Sequence, residues 1–155
     1  MRTKLQLLTL LIVMSFIGCN KGDSDIDKNI TMTLVSFTGC NTDTKSSGSN
    51  TPSIRFIGQT GDKLLISLCN TEFCCGTDSV LFNKIISDNN INIEIIDKGP
   101  LTYCYCPHNL DLSIGPLRNE KYSLTFVESE NAYSRDTFAI NINYSQQLDT
   151  TIIGD

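Results

Sequence analysis

The chain has no tryptophan, one histidine, four prolines and fewer bases than acids, with 12 Lys and Arg against 17 Asp and Glu in 155 residues. Each scarcity excludes something. A net charge of −5 without clustered bases argues against nucleic acid, because phosphate contacts need Lys and Arg grouped together. The single imidazole, His108, is the only histidine a serine or cysteine nucleophile could use, and no Gly-x-Ser-x-Gly elbow accompanies it. Phosphate loops and dinucleotide fingerprints are missing. The acids are scattered, which on an anionic protein reads as solvated surface and not as a glycosidase pair. A non-enzymatic protein without a cofactor is the expectation. Charged residues are only 19% of the chain and hydrophobic ones 40%, so it can bury a core and is not intrinsically disordered.

The N-terminus carries a different message. Arg2 and Lys4 precede an apolar stretch from Leu5 to Ile17, interrupted only by Gln6, Thr9 and Ser15. A short basic region followed by an apolar run too short for a permanent membrane helix is an export signal. The run closes on Phe16-Ile17-Gly18-Cys19 and resembles the lipobox of bacterial lipoproteins. Gly18 and Cys19 match, whereas Phe16 stands at the usual Leu and Ile17 at the usual small residue. The resemblance implies cleavage behind Gly18 and acylation of Cys19 by palmitate-like chains. Membrane lipid is then a partner through Cys19, and the protein is anchored at the outer membrane, on its surface or its periplasmic face. An ordinary secretory signal that leaves Cys19 as an odd thiol is the alternative.

Residues 1–18 therefore read as a signal peptide, 19–29 as acylated cysteine and flexible tether, and 30–155 as one domain. The tether from Asn20 to Asp27 carries three acids and reads as a hydrated spacer. It also resembles the acid-rich export tag of surface lipoproteins of Gram-negative gut anaerobes. Beyond residue 18 the chain holds 10 bases and 17 acids, and no further apolar stretch approaches the ~18 residues of a membrane span.

Alternation of apolar and polar residues dominates the domain and predicts strands. Such runs occupy Thr31–Phe37, Ser53–Gln59, Lys63–Cys69, Ser79–Ile86, Ile91–Ile96, Leu110–Ile114, Tyr122–Val127 and Phe138–Asn143. Gly, Asn, Asp and Pro clusters separate them, as turns would. About seven short strands at this spacing predict an all-β, antiparallel sandwich, with a small barrel as competitor. Leu112 to Leu117 followed by Tyr122 to Phe126 resembles the tyrosine-corner strands of fibronectin type III and immunoglobulin-like domains. That resemblance implies that Leu117 plugs the core and that the Tyr122 hydroxyl folds back onto upstream backbone.

Seven cysteines remain to be explained. With Cys19 acylated, Cys40, Cys69, Cys74, Cys75, Cys104 and Cys106 are disulfide candidates in an oxidising compartment. Adjacent Cys74 and Cys75 should face different partners. The natural proposal ties the Cys69–Cys75 segment to Cys104 and Cys106 and leaves Cys40 what remains. The rival is a Zn or Cu site using Cys104, Cys106 and His108, since thiolates and imidazole suit those metals. The run from Cys104 to Leu117, after Phe73-Cys74-Cys75, is similar to one in small cysteine-containing surface lipoproteins of Gram-negative gut anaerobes. It implies a secreted β-domain and brings no activity with it.

The expected function is that of a monomeric envelope binding or accessory module with a protein or glycan ligand. The expected alternative is a metal-binding or thiol-active lipoprotein. Asp78-Ser79-Val80 and Asp149-Thr150-Thr151 also resemble O-glycosylation acceptors of exported proteins of the same group.

Overall fold

A computed structural model describes residues 29–38, 51–99, 104–130 and 133–154. The expected signal, Cys19, nearly all of the tether and Cys40 lie outside the described residues. Nine strands run in chain order: β1 (Thr31–Thr38), β2 (Ser53–Gln59), β3 (Lys63–Cys74), β4 (Val80–Ser87), β5 (Asn90–Asp97), β6 (Tyr105–Gly115), β7 (Lys121–Glu130), β8 (Tyr133–Asn143) and β9 (Asp149–Ile153).

Period-two patterning builds these strands, because successive side chains leave opposite faces. Leu64, Ile66 and Leu68 on β3 are buried, as are Leu110, Leu112 and Ile114 on β6. Ile91, Ile93 and Ile95 on β5 meet them, with Tyr122, Leu124 and Phe126 on β7. The first group belongs to a five-stranded sheet ordered β1-β6-β3-β2-β9, the second to a four-stranded sheet ordered β4-β5-β7-β8. Their inner faces share one hydrophobic cluster, which makes the protein a two-sheet sandwich. Each fully buried Leu, Ile or Phe there contributes roughly 1.5–3 kcal/mol of transfer free energy.

Three expectations need correction. The strands number nine among the described residues, one more than the eight runs read from the sequence, because β9 was unforeseen. The sandwich is not wholly antiparallel: β5 and β7 pair in parallel, Asn90 opposite Ser123 through Asp97 opposite Glu130. The cause is connectivity. The β4–β5 hairpin lies in its sheet with its second strand, not its first, beside β7. Finally, β3 and β6 extend past their expected ends, since alternation persists at Phe73 and His108, both 2% exposed.

A β-bulge makes that extension possible. Between Leu68 and Thr71 the β3–β6 register shifts by one residue, and Asn70 adopts φ +59°. Asparagine tolerates the left-handed region better than most residues. Its amide N–H donates to Asn109 Oδ1 at 3.0 Å, which satisfies the group the bulge removes from the ladder. Beyond the bulge, inward positions on β3 change from even to odd, which brings Phe73 into the core.

Two local devices hold the ends of the sandwich. Asp97, at the end of β5 and 2% exposed, accepts from the Cys74 amide at 3.0 Å, Thr77 Oγ1 at 2.7 Å and the Gly99 amide at 2.7 Å. One carboxylate thereby clasps the two sheets. Gly99 is required there, since a Cβ would stand 2.1 Å from Thr77 Oγ1. At the β6–β7 connection Leu117 is buried, and the Arg118 amide donates to the Tyr122 hydroxyl at 2.9 Å. That hydroxyl donates in turn to Glu120 Oε1 at 3.2 Å.

Candidate functional site

The cysteine-rich segment is built by β3 and β6. Cys75, just past β3, forms a disulfide with Cys104, just before β6, across 29 residues of sequence. Cys106 is likewise disulfide-bonded. Cys69 and Cys74 are thiols, so the expectation that all six candidates pair as disulfides fails at these two positions. Strand geometry explains it. Cys74 is fully buried and its thiol hydrogen-bonds the Asp97 carboxylate, while Cys75 leaves the strand on the other side toward Cys104. Cys69 lies before the bulge, on the face opposite Leu68.

The metal reading loses its ligands here. Cys104 and Cys106 are oxidised, and a disulfide sulfur is not a thiolate ligand. His108 is an inward side chain of β6. Its ring stacks on Phe37, with centroids 5.1 Å apart, and meets the Phe73 ring edge-to-face at 5.5 Å. Nδ1 lies 2.9 Å from the Cys106 carbonyl oxygen. A carbonyl only accepts, so Nδ1 carries a hydrogen, and Nε2 is buried with no hydrogen-bond partner among the described residues. Among the described residues no group of three or more His, Cys, Asp or Glu is placed to hold a metal.

A concavity lies elsewhere, between the sheets at the open side of the sandwich. It is a groove of about 680 Å³. Ile54 of β2, Leu68 of β3, Phe138 and Ile140 of β8 and Ile152 of β9 give it apolar walls. Glu72, Glu128 and Asp136 also line it. Glu128 and Asp136 are directly opposite each other on neighbouring strands β7 and β8.

The groove follows from an unequal strand count. Sheet ends correspond at β1 and β4, where Lys84 Nζ donates to the Ile30 carbonyl. Five strands over four then leave β9 with no described strand facing it. Every residue of β9 is exposed, although Thr150 and Ile152 pair with inward-facing Phe56 and Ile54. Sequence reading missed this site. Its signal was the β-branched run Thr150-Thr151-Ile152-Ile153, too short to show a period.

At the outer face of β9, Arg55 Nε and Nη2 donate to the two Asp149 oxygens at 3.0 and 2.8 Å. The guanidinium holds that exposed carboxyl below its ordinary range. Ser79 and Thr150, the glycosylation candidates, are both exposed. Fold and groove define a two-sheet β-sandwich with an open side. Comparison with known protein families, curated proteins and solved structures finds no match to this chain.

Proposed function

We propose that this protein is an exported, lipid-anchored, non-enzymatic binding module of the cell envelope whose ligand enters the groove between β8 and β9. The groove carries the reading: an apolar concavity with a few charged groups in its lining is the ordinary form of a binding site. The sole histidine packs between the Phe37 and Phe73 rings with Nδ1 on a backbone carbonyl, an environment that supports a core role for it over catalysis. The Cys75–Cys104 disulfide favours an oxidising compartment. The basic start, the Leu5–Ile17 stretch and Gly18-Cys19 support acylation at Cys19. Each acyl methylene buried in lipid contributes about 0.8 kcal/mol, so two or three chains anchor the domain stably. The Leu117 and Tyr122 geometry supports kinship with immunoglobulin-like and fibronectin type III sandwiches, from which the parallel β5–β7 pair departs.

Two measurements test the proposal in cells that make the protein. Labelled palmitate should enter the wild-type chain and not Cys19→Ala, which should also leave the membrane fraction. A photo-crosslinking residue at Ile152 should capture an envelope component, while one at Ile85, exposed on β4 far from the groove, should not. Absence of label overturns the anchor, and equal capture at both positions overturns the groove.

A further inference from the structure

We infer that the outer face of the four-stranded sheet carries a second binding site, one for an acidic saccharide, built from asparagine amides around Lys121. The site is on the opposite face of the sheet from the groove, so it goes beyond the reading above and does not depend on it. Strand register assembles it. Tyr122, Leu124 and Ile142 point into the core, so the residues between them point outward. Asn90, Ser123 and Asn141 then lie side by side across β5, β7 and β8, and Lys121 stands opposite Asn143. At about 4.8 Å between neighbouring strands, the row is about 10 Å long, enough to underlie a short saccharide.

Asn89, in the β4–β5 turn, completes the lining of a concavity of about 480 Å³. Backbone bonds fix its frame. The Ser123 amide donates to the Asn89 carbonyl at 2.9 Å, which ties the turn to the start of β7. The Tyr144 amide donates to the Glu120 carbonyl at 2.9 Å, which ties the end of β8 to the same place. The frame is thus set before a ligand arrives.

Chemistry selects the ligand. Each carboxamide offers two N–H donors and an acceptor oxygen, which matches sugar hydroxyls, groups that both donate and accept. Among the described residues, the side chains of Asn89, Asn90, Ser123, Asn141 and Asn143 hydrogen-bond to no other residue. By contrast, Asn70 donates to the Thr51 carbonyl and Asn83 to Glu94. The outward side chains of the lining are all polar, which gives an apolar ligand nothing to bury against. No carboxylate lines the pocket, in a chain with 17 acids and a net charge of −5. Glu120, next in sequence to Lys121, accepts from the Tyr122 hydroxyl. Lys121 makes no ion pair with a described residue, so its ammonium is left for an anion. A ligand rich in hydroxyls and carrying a carboxylate satisfies both parts of the lining.

The test titrates the purified full-length protein with trigalacturonate and follows side-chain amide signals by nuclear magnetic resonance. Signals of Asn90, Asn141 and Asn143 should shift saturably, while the backbone signals of β9 stay still. The methyl-esterified trisaccharide keeps the ring hydroxyls and loses the charges, and should bind about fivefold more weakly, the size of one exposed ion pair. Blocked triaspartate has the charges without the hydroxyls and should bind at least tenfold more weakly. Lys121→Ala should weaken the acid about fivefold and leave the ester unaffected. Asn141→Ala combined with Asn143→Ala, both at exposed positions, should weaken acid and ester alike about tenfold. Asn141→Asp changes charge and not shape, and should weaken the acid more than the ester. Failure of trigalacturonate to bind overturns the inference. Equal binding of the acid and its ester, equal binding of the acid and triaspartate, or an undiminished Lys121→Ala complex does so as well. Shifts confined to Ile152 and its neighbours would overturn this site and leave the groove as the binding site.

Discussion

Asp97 concentrates more of the fold's energetics than any other polar residue described. Burial pushes its carboxyl up, but the Cys74 and Gly99 amides, the Thr77 hydroxyl and the Cys74 thiol outweigh that and hold it below the usual range. A depressed carboxylate pKa stabilises the fold above the unfolded value near 3.9, and that contribution disappears as pH falls through the folded value. Acid denaturation followed by circular dichroism should therefore show a stability loss below about pH 4 that Asp97→Asn lacks. Asp97→Ala strands several buried donors and should cost about 2–4 kcal/mol in denaturant unfolding at pH 7. The cysteines give a second residue-scale expectation. Cys69 should react with a thiol reagent in the folded protein, and fully buried Cys74 only after unfolding. Cys75→Ser together with Cys104→Ser should cost about 3 kcal/mol for a bridge closing this length of chain.

Among the elements, β3 is the one whose shape the rest depends on. Its bulge re-aims the strand so that Leu68 before it and Phe73 after it both point inward, although their parity differs. Asn70 in left-handed backbone is the hinge of that change. Asn70→Ala should destabilise by about 1–2 kcal/mol, because alanine lacks the polar side chain that makes left-handed backbone tolerable for asparagine and loses the bond to the Thr51 carbonyl. Asn70→Gly should retain most of the stability, and thermal melting of the two variants checks the order. A one-residue bulge is invisible to periodicity, so Lys63–Cys69 was legible and the segment from Asn70 to Cys74 was not. On β6 the opposite holds. Its even-numbered alternation runs unbroken from Ile114 back to His108, and only the proline at 107 obscured it. Pro107 lies beyond the last described β1 pair, Thr38 with Asn109, and opposite Glu72 of β3.

At the scale of the molecule, both sheets contribute to one core, so neither should melt alone. Calorimetric and van't Hoff enthalpies of unfolding should agree, and Phe126→Ala should lower stability by about 3–5 kcal/mol without splitting the transition. Phe126 is fully buried and stacks on Phe138 at 5.0 Å, so its loss also loosens the wall of the groove. The sequence by itself determined the all-β class, the positions of most strands and the inward residues of each. Those features depend on local alternation and on turn residues, which are properties of a few neighbouring positions. Tertiary structure decided the rest. The parallel β5–β7 pair depends on which strand of a hairpin lies beside a strand about 25 residues later, and no local pattern records that choice. The fates of the cysteines and of His108 depended on which strand faces they occupied. The groove exists only because five strands lie over four, a mismatch between two sheets that no single stretch of sequence contains.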